Sequence, residues 1–170
     1  MNPTVIAIVG HSGAGKTTLI AHLLPILVAH GLHVATIKHS HHDPALDVAG
    51  TDSFRHKQAG AMASMLVTAS GMQLVTDNQN SHGPEQLARR YFQDMDMVLA
   101  EGYTQADCSK IEVLRKACNS VPRCQHESGL LALVTDVDCE LPKLKKFQLT
   151  DIDGIARFVL DMHQLESSKA

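Results

Sequence analysis

VIAIVGHSGAGKTTLI, residues 5–20, decides the fold: a short apolar run rich in β-branched residues breaks into a glycine turn and resumes as an apolar helical pattern. Residues 4–9 read as a strand and 16–30 as a helix, and the junction carries Gly10-x-x-x-x-Gly15-Lys16-Thr17. That spacing is the phosphate-loop pattern, placed where its mechanism requires, after a buried strand and opening a helix. Glycines permit unusual backbone angles and leave room for several N–H groups to point at phosphate oxygens, and the helix N-terminus adds partial positive charge. Gly10, His11, Ser12, Gly13, Ala14, Gly15, Lys16, Thr17 and Thr18 are therefore the candidate nucleotide-binding residues. Lys16 would neutralise the outer phosphates and the Thr17 hydroxyl would bind Mg²⁺.

Outward from this junction, strands are expected at 33–38 (HVATIK), 63–67 (ASMLV), 72–75 (MQLV), 97–100 (MVLA), 110–115 (KIEVLR) and 130–135 (LLALVT), with a helix from Pro84 to about Phe92. The last helix, about 152–163, sets Ile152, Ile155, Val159 and Met162 at spacings of three and four, behind Thr150 or Asp151 as N-cap. The alternation is that of an α/β phosphate-loop NTPase, with a mostly parallel central sheet and helices on both faces. Near-continuous apolar strands imply burial on both sides. Pro25, in the middle of the first helix, should bend or weaken it. Residues 107–129 are polar and irregular, and no repeat or linker interrupts one domain spanning 1–170.

Composition narrows the function. The chain has 170 residues, 44% of them apolar, enough for a sizeable core. A formal charge of −3 with scattered Lys and Arg offers no basic stripe for duplex DNA or RNA. Cys108, Cys118, Cys124 and Cys139 show neither a C-x-x-C pair nor a repeated spacing, which reads as reduced thiols. The first apolar run is too short for a signal peptide or a membrane span, so a cytoplasmic protein is expected.

A magnesium-bound triphosphate needs a carboxylate opposite the loop, at the carboxyl end of a neighbouring strand. MVLAEGY, residues 97–103, runs four apolar residues straight into Glu101, and Gly102 would permit close backbone approach to the γ-phosphate. Asp96, at the other end of that strand, should lie far away. KHSHHD, residues 38–43, puts Lys38, His39, His41, His42 and Asp43 on the same crevice edge. Asp43 is a candidate second Mg²⁺ ligand. The histidines lack the spacing of a zinc site, leaving zinc, solvated loop and phosphate or substrate contact as open readings.

These segments together resemble the molybdopterin-guanine dinucleotide biosynthesis adaptor protein B family, whose members carry a similar phosphate loop, then IKHSHHD, GTDSFRHKQAGA, a strand ending LAEGY, KIEVLR and LVTDV, in that order. The resemblance implies a GTP-binding protein, a homodimer, that assists the enzyme attaching GMP to molybdopterin and hydrolyses GTP only weakly. It implies that Gly10 to Thr18 hold the nucleotide, with Asp43 and Glu101 near the metal. Asp52, in GTDSFRHKQAGA, reads equally as a γ-phosphate responder or as a helix cap. An N-K-x-D element for guanine is absent; LVTDV offers Thr135 and Asp136 instead. An Asp accepts both hydrogens of the guanine edge and would oppose an acceptor at adenine N1, so Asp136 at the base would favour GTP.

Two other readings share the fold. A small-molecule kinase or ATP-dependent ligase would need a clamp on the moving phosphoryl group; Arg89 and Arg90 fall on a helix and Arg115 in a strand, leaving Arg123 as the best lid candidate. A metal-delivery protein would rest on His39, His41 and His42 alone.

Overall fold

The computed structural model describes residues 2–40, 42, 44–77, 82–118, 121–124, 126–139, 141 and 144–168. In chain order the elements are β1 (Thr4–Val9), α1 (Lys16–Ala29), β2 (Val34–Lys38), α2 (Asp52–Gln58), β3 (Ala63–Thr68), β4 (Gly71–Thr76), α3 (Pro84–Tyr91), β5 (Met97–Glu101), β6 (Ser109–Leu114), β7 (Leu130–Thr135), β8 (Lys145–Phe147) and α4 (Ile152–Ser167). They fall into two compact units, Met1–His39 with Gly83–Ala170, and Ser40–His82.

The first unit is a six-stranded sheet ordered β2-β5-β1-β6-β7-β8, parallel at every pairing. β1 is central and buried along its whole length. Its side chains alternate between two cores, as strand geometry demands. Ile6 and Ile8 pack with Leu19, Leu23 and Leu27 of α1 and with Ile155, Ala156 and Val159 of α4. On the other side, Ala7 and Val9 pack with Cys108 and Cys124, and Val5 packs with Ala88 of α3. Helices thus cover both faces. α1 runs unbroken through Pro25 because that residue lies on the exposed side; water can satisfy the Ala21 carbonyl that the missing N–H leaves free.

Of the two expected caps, Thr150 and Asp151, it is Asp151 that opens α4: its carboxylate accepts from the Gly154 N–H at 3.0 Å. A Cβ at Gly154 would displace that carboxylate from its capping position. β8 is three residues long with two exposed lysines, an edge strand too short and too charged to carry a strand pattern in sequence.

The second unit departs from the expected alternation. β3 and β4 do not enter the parallel sheet; they pair with each other as an antiparallel hairpin closed by a two-residue turn. Nor are they buried on both faces: Met65, Leu66, Val67, Met72 and Leu74 are exposed. Short strands that close a hairpin and short strands that enter a buried sheet share the same apolar composition, which is why the run misleads. α2 is capped by Thr51, whose hydroxyl accepts from the Phe54 N–H, so Asp52 is the first helical residue and not the cap. Lys57 ties α2 to the hairpin's end through the carbonyls of Ala61 and Met62 and through Asp77, 2.6 Å away.

The expected strand at 110–115 is β6, and the described residues between 115 and 129 carry no helix or strand. That stretch is pinned to the sheet by two fully buried charges. The Glu112 carboxylate accepts from the backbone N–H groups of Arg123 at 2.6 Å and Cys124 at 2.9 Å, and Lys110 Nζ donates to the Ser128 carbonyl at 2.6 Å. Hydrogen bonding of this kind is what makes burial of a charge tolerable.

Two expectations test this packing. Asp151→Ala should lower stability by about 1 kcal/mol, the usual loss for an N-cap acid, seen as a reduced midpoint in urea with an unchanged slope. Burial, and after it the Glu112 carboxylate, pushes the Cys124 thiol up to about 11. An unfolded thiol ionises near about 8.5, so this group's contribution is complete below that pH and drains away as pH rises through its folded value. The melting temperature should therefore fall with rising alkalinity less steeply in Cys124→Ala than in the parent protein. At pH ~8, where the ordinary thiol is partly ionised, iodoacetamide should modify exposed Cys118 and spare Cys124 in the native protein.

Candidate functional site

The loop between β1 and α1 is shaped by three glycines in conformations that side chains resist. Gly10, Gly13 and Gly15 have φ of 137°, 76° and 98°. At Gly10 the constraint is also steric, because a Cβ would collide with the Val113 carbonyl of β6. Gly15 is the left-handed residue before α1, and its carbonyl accepts the helix bond from the Leu19 N–H at 2.9 Å. Ala14 is buried beneath the loop, while Ser12, Gly13, Thr17 and Thr18 are exposed.

Lys16 folds back across the loop, donating to the carbonyls of Gly10 at 3.1 Å and His11 at 2.8 Å. This brace holds the ammonium over the space the loop encloses. Partial burial pulls the Lys16 pKa below its ordinary value; Glu101 opposes that shift, and the positive charges of Arg123 and Lys38 add to it.

Glu101 arrives from β5, at the register where Ile8 of β1 and Lys38 of β2 flank it. One carboxylate oxygen accepts from the Thr17 hydroxyl at 2.8 Å, and the other lies 3.6 Å from Lys38 Nζ. Loop hydroxyl and strand acid are thus side by side, oxygen donors of the kind that a hard divalent cation takes. Gly102 has φ of 96°, and a Cβ there would sit 3.3 Å from His39 Cβ. His39 also stacks against Tyr103 with ring centroids 4.9 Å apart. Asp96 is at the far end of β5, as expected, bonded to the His33 N–H at 2.7 Å.

Asp136 follows β7 beside a depression of about 450 Å³ that Thr135, Asp138, Lys146 and Gln148 also line. One Asp136 oxygen accepts from the Lys116 N–H at 2.7 Å. Thr135 is turned inward, its hydroxyl accepting from the Val137 N–H at 2.8 Å. Asp43 and His41 lie outside the described residues, and among the described residues no three His, Cys, Asp or Glu side chains are grouped for a metal. Arg89 pairs with Glu85 along α3, Arg90 lies over the Tyr91 ring, and Arg115 stands just beyond β6.

Sequence reading overlooked Glu112 and Lys110. The available signal was their alternation inside KIEVLR, where two charges interrupt an otherwise apolar central strand on one face.

The family model for molybdopterin guanine dinucleotide synthesis protein B, MobB, matches residues 5–136. The chain is 32% identical over 156 residues to the molybdopterin-guanine dinucleotide biosynthesis adapter protein of Haemophilus influenzae, covering 91% of this chain and 86% of that protein. It is 28% identical over 170 residues to the protein of that name from Escherichia coli, covering 96% and 95%. The crystal structure of Bacillus subtilis MobB superposes with a TM-score of 0.71 at 25% identity, over 94% of this chain and 97% of that one. The matched residues include the phosphate loop, Glu101 and both strands flanking β1, and on that ground the chain belongs to the MobB family of molybdopterin guanine dinucleotide synthesis proteins.

Proposed function

We propose that this protein is a GTP-binding adaptor that assists the enzyme attaching GMP to molybdopterin, with weak intrinsic GTPase activity of its own. The observation that carries the reading is the hydrogen bond between Thr17 of the phosphate loop and Glu101 of β5, in a chain of the MobB family. Those two oxygens fit Mg²⁺, which would neutralise charge on the bound phosphates. The loop N–H groups and the N-terminus of α1 would cradle the phosphates, with Lys16 as the fixed charge. Asp136, which lines the depression at the end of β7 and accepts from the Lys116 N–H, is the group assigned to guanine. The proposed setting is cytoplasmic, the assembly a homodimer, and the partner the GMP-transferring enzyme, with molybdopterin the compound handled between them.

Slow turnover follows from the parts available. Cradling phosphate takes a loop, a helix terminus and a metal, whereas fast hydrolysis also takes a residue that orients water and a cation that enters at the transition state, worth about 10³ to 10⁵ in rate. Lone protein should therefore bind GTP well and hydrolyse it slowly.

Calorimetry on folded protein should show magnesium-dependent GTP binding that Lys16→Ala weakens at least about tenfold, the loss of a charge-assisted contact. Glu101→Gln should keep the fold and lose the response to a magnesium titration. Asp136→Ala should erase the preference for GTP over ATP. The adaptor role is tested by reconstitution: GTP and this protein together should raise the output of the GMP-transferring enzyme. Fast lone hydrolysis, or transfer of the γ-phosphate to a small acceptor, would overturn it.

A further inference from the structure

We propose that Arg123, beyond β6, supplies a second cation for the outer phosphates of the nucleotide, with buried Glu112 as its positioning residue. The inference rests on the nucleotide-binding reading and adds to it a residue and the strand group that fixes it.

Register brings the segment to the loop. β6 lies beside β1, and the last pairing before the phosphate loop is Val9 with Glu112. The next residues on each strand touch closely, Gly10 against the Val113 carbonyl. From that point the Glu112 side chain holds the backbone N–H groups of Arg123 and Cys124 at 2.6 and 2.9 Å. Arg123 is therefore fixed to the strand position adjoining the loop's first glycine, through a carboxylate that is fully buried. Pro122, itself buried, restricts the backbone just before it, while the Arg123 side chain is exposed. The same segment returns near the loop at Cys118, whose Sγ lies 3.7 Å from where a Cβ on Gly13 would stand.

Charge supplies the reason for such an arrangement. Among the described residues, Glu101 favours the charge on Lys16, while Arg123 and Lys38 oppose it. Like charges brought together by a rigid frame repel, and a polyanion between them reverses the sign of that energy. A guanidinium is suited to the task because it stays charged and presents a fork of donors to phosphate oxygens. A strand carboxylate that uses both oxygens on the backbone of one loop is a costly anchor, and what it anchors is the backbone from which Arg123 extends.

The test is calorimetry of GTP, GDP and GMP with Mg²⁺ on the full chain, for wild type, Arg123→Ala, Arg123→Lys, Lys16→Ala, Glu112→Gln and the Glu112→Gln/Arg123→Ala double variant. Arg123→Ala should weaken GTP roughly ten- to a hundredfold, the range for a charge-assisted contact, and leave GMP nearly unchanged; Arg123→Lys should restore most of the loss. Glu112→Gln should lose the same preference for GTP over GMP, and the double variant should lose little more, a non-additivity that a purely structural role would not produce. Should Glu112→Gln fail to fold, Glu112→Asp gives the same readout. Wild-type GTP affinity in Arg123→Ala, or an equal loss for GTP and GMP, overturns the proposal while Lys16-dependent binding keeps the nucleotide reading intact. A wild-type protein that binds none of the three overturns both.

Discussion

The parallel pairing of β1 between β5 and β6 is the constraint from which the site follows. A buried central strand admits one register, because a slip by one residue would exchange its two cores. With that register set, Ile8 faces Glu101 on one flank and Val9 faces Glu112 on the other. Two acids from two neighbouring strands therefore end beside the same loop, one aimed at the Thr17 hydroxyl and one at the segment after β6. The glycine at the junction belongs to this same packing, since only the absence of a Cβ lets Gly10 lie on the Val113 carbonyl.

Burial of Lys110 and Glu112 makes sense in the same frame. Replacing them by apolar residues would free the sheet of two charges, and exchanges of that kind are often neutral or stabilising. Such residues would leave the N–H groups of Arg123 and Cys124 and the carbonyl of Ser128 without these partners. The strand charges substitute for secondary structure, giving an irregular stretch the fixed backbone that a helix or a ladder would otherwise provide. A central strand thereby dictates where a loop runs.

Sequence alone reached the parallel core, because β1, β5 and β7 are apolar enough to be read as buried strands and because a phosphate loop demands a strand before it and a helix after it. It also reached Glu101, whose place after four apolar residues leaves little choice of where the acid ends. It did not reach the separation of β3 and β4 from the main sheet. ASMLV and MQLV carry an apolar pattern that fits a buried strand or a hairpin, and partner choice lies in long-range pairing that periodicity does not encode. Nor did it reach Glu112, for a charge within a strand reads as an outward-facing side chain unless the segment that covers it is known. Glycine at 102 was legible as a place of close approach, and one neighbour that fills the space beside it is His39.

Lys16 joins the two halves of the site energetically. Its bonds to Gly10 and His11 brace the loop, so the same ammonium that would meet phosphate also maintains the shape that meets it. Desolvation works against its charge, and Glu101, though already shared between Thr17 and Lys38, works for it. The carboxylate thus bonds Thr17, pairs with Lys38 and acts on Lys16 through its charge. A multiply charged anion at the loop would relieve this competition, because the cations would then find their complement in the ligand and Glu101 would be free to meet a metal. A site so composed would gain more from a triphosphate than from a monophosphate, because the added charge complements the cations gathered at the loop.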